Sequence, residues 1–187
     1  MRLLPGVELP MKTILVTGPI GSGKSEVCRI LSSEGYAVYD ADSRTKALYG
    51  NVPGLKKRIE EELGIPFNEL GIIFTDERRR NKLEDIVYPL VLEDMEKWVD
   101  SHKDDDNYSK DLIFIESAVA LTKPIFDHLY DEVWIVDAPL ELRTLRNTKA
   151  AERDGLQSFP SNDKISRIIY NDSTLDNLYK QIWKKQI

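Results

Sequence analysis

Thr13–Ser25 reads TILVTGPIGSGKS, and this stretch decides the fold. TILVT is an unbroken apolar, β-branched run of the kind that forms a strand buried on both faces of a parallel sheet. Gly18-Pro19-Ile20-Gly21-Ser22-Gly23-Lys24-Ser25 then follows the pattern G-x-x-x-x-G-K-[ST]. Glycines at that spacing let the backbone close around a triphosphate with successive N–H groups turned inward. The helix that starts there adds the positive end of its dipole. Lys24 would reach the β and γ phosphates, and Ser25 would hold Mg²⁺. A chance Gly/Ser turn between strand and helix is the competing reading. The context argues against it, because Val27, Ile30 and Leu31 give the following helix an apolar face that stops near Gly35. The stretch predicts a nucleoside-triphosphate site on a strand–loop–helix unit.

The rest of the chain alternates in the same way. Tyr36–Tyr39 (YAVY), Leu112–Ile115 (LIFI), Val133–Val136 (VWIV) and Ile165–Tyr170 are further short apolar strands. Residues 43–100 read mostly as helix, with Leu83, Ile86, Val87, Leu90, Val91, Met95 and Trp98 along one stripe and a break at Gly64–Gly71. Ser101–Lys110 is a polar loop. Helical spacing resumes after Asp137 through Leu142 and Leu145, and a closing helix carries Leu175, Leu178 and Ile182. Strands alternating with helices predict an α/β fold, a three-layer arrangement around a central parallel sheet of about five strands. Right-handed crossovers bring the strand C-termini to one edge. Gly18–Ser25, Asp40, Asp42, Glu116 and Asp137 all follow apolar strands directly, so that edge is where chemistry is expected.

Composition narrows the classes. The 187 residues carry 26 Lys and Arg against 32 Asp and Glu, a net charge of −6, and are 41% hydrophobic. This suits one domain over residues 1–187 with a single substantial core. It argues against a sequence-independent grip on nucleic acid, which needs a basic face. Cys28 is the only cysteine; with no internal disulfide available, a reducing, cytoplasmic setting is expected. No apolar run approaches the roughly 20 residues of a membrane span. Residues 1–10, MRLLPGVELP, lack an unbroken apolar segment before a small-residue cleavage site and read as a short N-terminal extension ahead of Met11.

Lys24 and Asp40 lie 16 residues apart, the length of one helix plus one strand. Asp40 should therefore emerge beside the phosphate loop, where its carboxylate can take the proton of an attacking hydroxyl. Asp42 can do the same, or orient Mg²⁺ through water. An Asx turn or a helix cap is the structural alternative for either residue.

The stretch from Ile14 to Leu48, ILVTGPIGSGKSEVCRILSSEGYAVYDADSRTKAL, resembles the dephospho-coenzyme A kinase family, with its TGGIGSGKS loop and its DAD motif opening a helix. KLEDIVYPLV is similar to that family's LE-x-I-x-HP-x-V segment, IFIESAVAL to its P-L-L-F-E strand, and VWIVDAPLELRTLRN to its V-V-D strand and Arg-bearing helix. NDSTLDNLYKQI resembles its D-N-x-G-x-x-x-x-L stretch, so the resemblance runs from about Lys12 to the end. It implies a P-loop kinase in which Gly18–Ser25 binds ATP and Mg²⁺ and Asp40 is the catalytic base for a ribose 3′-hydroxyl. It further implies Glu116 and Asp42 beside the acceptor, Arg146 and Arg153 as lid arginines that offset developing charge, and a small-molecule acceptor. On this basis residues 43–100 are an acceptor-binding helical insertion and residues 146–165 a shortened lid.

The chain departs from the pattern at several points. Pro19 replaces the second glycine of the loop, Tyr88 stands at the His of His-Pro, Leu112 replaces a proline, and FNELGIIFTDERRR has no D-G-x-L-x-R. The nucleotide half therefore matches more closely than the acceptor half. A nucleotide or nucleoside monophosphate as acceptor stays open, as does an ATP-binding module without transfer. Arg78-Arg79-Arg80, balanced by Asp76, Glu77, Glu84 and Asp85, reads as a solvated face. His102 and His128 lack metal-ligand spacing. Asp104-Asp105-Asp106 lacks the glycine and glutamate of a calcium loop. Trp98, Trp134 and Trp183 read as core or core-edge residues, and Cys28 as a small core residue.

Overall fold

The computed structural model describes residues 10–154 and 163–184. Residues 1–9, 155–162 and 185–187 and the side chain of Arg153 lie outside the described residues, and with them most of the expected extension and much of the stretch expected to be a shortened lid. Five strands, β1 (Lys12–Thr17), β2 (Ala37–Asp40), β3 (Leu112–Glu116), β4 (Glu132–Asp137) and β5 (Ile165–Tyr170), form one parallel sheet in the order β2-β3-β1-β4-β5. The chain runs from β1 to one side and then crosses over to the other, so β1 sits at the switch in strand order. Ligands of open parallel sheets bind at such a switch, beyond the strand C-termini.

Alternation along the strands builds two cores. Leu15, Tyr39, Ile113, Ile115 and Val133 face one side, where they meet the helices between β2 and β3. Those are α2 (Ala41–Asn51), α3 (Leu55–Leu63) and α4 (Glu77–Lys103), with a 3-10 segment, Phe67–Thr75, that begins inside the predicted break and runs past it. Ile14, Val16, Phe114, Trp134, Val136 and Ile169 face the other side, against α1 (Lys24–Ser33) and α7 (Leu175–Trp183). A sheet covered on both faces needs strands that are apolar throughout, which is why β1 shows no polar alternation.

The structure departs from the sequence reading in detail. The second strand begins at Ala37 and takes in Asp40, and α4 continues to Lys103 and shortens the polar loop. Leu145 is 84% exposed at the end of the seven-residue α5 (Leu140–Arg146), and Arg143 is buried in its place. The reason is local: Arg143 Nε donates to Ala138 O at 2.9 Å, in the crook where the chain leaves β4. Leu175, at the first turn of α7, is 60% exposed. After α5 comes α6 (Ala150–Asp154). Among the described residues no helix is long and apolar enough to cross a membrane.

Candidate active site

The loop between β1 and α1 takes its shape from its three glycines, two of which decide its path. Gly18 has φ 149°, and a Cβ there would lie 2.0 Å from Val136 O, so only glycine lets the chain leave β1 this close to β4. Gly23 has φ 97°, and its Cβ would lie 2.1 Å from Asn171 Nδ2. Gly23 is also the N-cap of α1, without a side-chain cap, whereas Asp40, Asp76 and Thr174 cap α2, α4 and α7 with side-chain oxygens. The first N–H groups of α1 are thus left facing the cleft as donors for an anion. Pro19 costs the loop nothing at its carbonyl, which accepts from Ser22 N–H at 3.1 Å. Lys24 Nζ donates to Gly18 O at 2.9 Å and Pro19 O at 3.2 Å, which lays it over the loop. Burial pushes its pKa down, while the charges of Glu116 and Asp42 work to keep it protonated.

A cleft of about 420 Å³ opens over this loop, and Lys24, Ser25, Asp40, Asp42, Glu116 and Arg146 all line it. Register explains the carboxylates: Asp40 of β2 and Glu116 of β3 are direct partners at the strand ends. Burial raises the pKa of Glu116, and the nearby Asp40 charge adds to that, while a hydrogen bond from Ser25 opposes it. That bond runs from Ser25 Oγ to Glu116 Oε1 at 2.7 Å. Asp40 accepts from Ser43 N–H at 3.0 Å and from Ser43 Oγ at 2.6 Å. The capping role expected as an alternative is therefore real, and it coexists with a place in the cleft wall.

Arg146, at the last turn of α5, sends Nη1 toward Gly21 O at 3.3 Å and Ser22 O at 3.4 Å, and Nη2 to Asn171 O at 2.9 Å. The guanidinium clasps the back of the phosphate loop from the cleft wall. Arg153 lies in α6, with its side chain outside the described residues.

A lysine, two aspartates, a glutamate and an arginine around one glycine-lined cleft are groups suited to phosphoryl chemistry, and comparison with known proteins identifies the family. The family model for dephospho-CoA kinases matches residues 12–175. The chain belongs to the dephospho-CoA kinase family. It is similar to the dephospho-CoA kinase of Porphyromonas gingivalis, 36% identical over 154 residues that cover 78% of this chain and 71% of that protein. With the Aquifex aeolicus dephospho-CoA kinase it is 29% identical over 193 residues, covering 93% and 95%. Among solved structures, a Thermus thermophilus protein superposes with a TM-score of 0.71 at 26% identity, covering 90% of this chain and 93% of that one. The Campylobacter jejuni dephospho-CoA kinase shares the fold at a TM-score of 0.60 and 17% identity, covering 91% and 92%. Membership of the family makes the chain an ATP-using phosphotransferase that acts on a hydroxyl group. Neither a kinase acting on a nucleotide or nucleoside monophosphate nor a non-catalytic ATP-binding module is favoured by these matches.

Several residues at the site have no counterpart in the sequence reading. Ser117, Ala118 and Asn147 complete the cleft lining. Cys28 is buried as expected, yet its thiol faces Glu116, and burial together with that carboxylate pushes its pKa well up, which disfavours the thiolate. Asn171, buried behind the loop, donates from Nδ2 to Ser22 O at 2.9 Å. A motif of eight consecutive residues carries no sign of such partners. Tyr88 is half-buried on α4 with its ring 5.4 Å from Phe126 and 5.6 Å from Lys123 Nζ. His102 accompanies Trp98 and Tyr108, and His128 pairs with Glu96 at 2.9 Å, both away from the cleft lining.

Proposed function

We propose that the chain transfers the γ-phosphoryl group of ATP to the 3′-hydroxyl of dephospho-CoA, giving coenzyme A and ADP. The observation that supports this most is one cleft with Lys24 and the α1 N-terminus on one wall and Asp40 on the other. Gly18–Ser25 would wrap the phosphates through backbone N–H groups, and Lys24 would bridge the β and γ oxygens. Asp40 takes the proton of the ribose hydroxyl as its oxygen bonds to the γ-phosphorus. The bond from that phosphorus to the bridging oxygen breaks, and ADP leaves. Arg146, and Arg153 beyond it, offset the charge that develops on the transferred group. Glu116 and Asp42 line the acceptor side.

The oxygen chemistry of the site fits Mg²⁺. Ser25 Oγ and Glu116 Oε1 are 2.7 Å apart beside the loop, both hard donors. Among the described residues no group of three or more His, Cys, Asp or Glu could hold a metal ion by itself. When bound, the ion would neutralise charge on the β and γ phosphates, with Ser25 as its direct ligand. Cys28 as the only cysteine supports a reducing, cytoplasmic setting.

The test is ADP release from Mg-ATP with and without dephospho-CoA, with the product's 3′-phosphate identified by mass. Strong stimulation and a 3′-phosphorylated product are expected. Stimulation by a nucleoside monophosphate instead would reassign the acceptor. Lys24→Ala should lower kcat/KM by about 10²–10³-fold while the chain stays folded; unchanged transfer would reject the site.

A further inference from the structure

We propose that Asn171 is a positioning residue for phosphoryl transfer: it holds the Ser22–Gly23 peptide so that Gly23 N–H faces the phosphates. The inference rests on reading Gly18–Ser25 as the phosphate loop. The chain turns out of β5 at Asn171, whose own N–H donates to Asp137 O at 2.7 Å and fixes it beside the end of β4. The residue is 8% exposed, and its Nδ2 donates to Ser22 O at 2.9 Å. Arg146 secures the same edge, with Nη2 on Asn171 O at 2.9 Å and Nη1 toward Ser22 O at 3.4 Å. The carbonyl of Ser22 and the N–H of Gly23 belong to one peptide unit. No peptide bond among the described residues is cis, so the two groups point in opposite directions. Asn171, behind the loop, grips that carbonyl, with Arg146 reaching it more distantly from the cleft wall, so Gly23 N–H is turned away from Asn171 toward the cleft that Gly23 lines.

Two further observations belong to the same arrangement. Gly23 leaves the space that the Asn171 amide occupies, since a Cβ would lie 2.1 Å from Nδ2. On the preceding peptide, Ser22 N–H is already spent on Pro19 O at 3.1 Å. Of these two adjacent peptides, the one Asn171 holds is the one whose N–H is turned to the cleft. A donor aimed at developing charge works through its alignment, and a shift of about 1 Å costs on the order of 10²-fold in rate.

Asn171→Ala removes the donor, and Asn171→Asp sets an acceptor against Ser22 O without changing shape. Binding of Mg-ATP and of inorganic tripolyphosphate is measured by calorimetry, alongside thermal unfolding and steady-state kinetics. For the Asp variant both affinities should fall about tenfold or more and kcat should fall with them, while KM for dephospho-CoA at saturating ATP stays unchanged. A lowered unfolding midpoint with affinities and kcat within twofold would overturn the proposal, leaving Asn171 a packing residue. If neither variant folds, the wild-type chain still decides. The Gly23 amide resonance should shift strongly on adding tripolyphosphate, and an unmoved resonance in a chain that binds the anion overturns the inference. A wild-type chain that binds neither Mg-ATP nor tripolyphosphate would instead reject the loop reading itself.

Discussion

The two walls of the cleft are held by different means. On the wall proposed for the nucleotide the surface is backbone, pinned by glycines in left-handed conformations, by the closeness of β4 and by a hydrogen bond from Asn171 just beyond β5. On the wall proposed for the acceptor the groups are side chains at the exposed start of α2, held by a polar network. Tyr39 Oη donates to Asp94 Oδ2 at 2.6 Å, and Arg44 grips the same carboxylate through Nε at 2.8 Å and Nη2 at 2.7 Å. Asp94 on α4 thus ties down the residue before Asp40 and the residue after Ser43. A backbone surface tolerates almost no local change, whereas a side-chain surface yields by degrees. The comparison predicts a steep ordering of mutational effects across the two walls.

The largest effect belongs to Gly18→Ala. Its Cβ would sit 2.0 Å from a backbone oxygen of β4, at a φ of 149° that other residues rarely adopt. Either β1 and β4 separate or the loop is rebuilt. A stability loss of about 3–5 kcal/mol and loss of Mg-ATP binding are expected, measured by chemical unfolding and calorimetry. Near-normal ATP affinity would show that the nucleotide wall is more pliable than its geometry indicates.

Asp40→Asn comes next and separates chemistry from scaffold on the other wall. Asparagine caps helices as well as aspartate does, so stability should change by no more than about 0.5 kcal/mol. The amide cannot accept the hydroxyl proton, and kcat should fall by about 10²–10⁴-fold with Mg-ATP affinity unchanged. If kcat holds in Asp40→Asn but collapses in Asp42→Asn, the base is Asp42 and Asp40 is the cap alone.

The same contrast explains which parts of the molecule are legible in its sequence. Backbone constraints are written locally: TILVT, the glycines of the loop, and Val27, Ile30 and Leu31 sit within one stretch, and they place β1, the loop and α1 where the fold has them. Asp40 and Glu116 are legible as strand-end residues, and the parallel register then makes them neighbours. Asn171 lies 149 residues from the carbonyl it holds, and Asp94 lies 55 from Tyr39 and 50 from Arg44. Spacing rules see a few residues at a time, and such pairs are invisible to them. Leu145 and Leu175 mislead for local reasons: at α5 a hydrogen-bonded arginine takes the inner position, and Leu175 sits in the first turn of α7, whose inner face is made by Leu178 and Ile182.

Tyr39→Phe sharpens the comparison from inside the network. It deletes one hydroxyl from a ring that is 1% exposed and leaves the Arg44–Asp94 pair in place. A cost of about 1 kcal/mol is expected from the lost bond. Turnover should drop a few-fold while Mg-ATP affinity stays level, read by chemical unfolding and a KM-against-kcat comparison. A drop in ATP affinity equal to the drop in kcat would mean that the two walls are one mechanical unit.

The smallest effect is a dependence on acid. A hydrogen bond from Arg44 pulls the pKa of Asp94 below the ordinary aspartate range; burial pushes the other way, and a lesser hydrogen bond from Tyr39 adds to the pull. A carboxylate whose pKa is lower in the folded chain stabilises it fully above the unfolded value, near 3.9. That contribution is lost as pH falls through the lower, folded value. Arg44→Gln removes the main cause. The stability gap between wild type and Arg44→Gln should therefore be constant from about pH 7 to pH 5 and narrow below about pH 4. Because the Arg44 side chain is 45% exposed and that of Asp94 23%, solvent screening keeps the gap to a few tenths of a kcal/mol. Urea unfolding across that range, at low ionic strength, reads it directly. A gap that persists unchanged at pH 3 would mean that Arg44 contributes through packing on the Tyr39 ring, 5.2 Å away, rather than through the Asp94 charge. The acceptor wall would then be held by contact, as the nucleotide wall is.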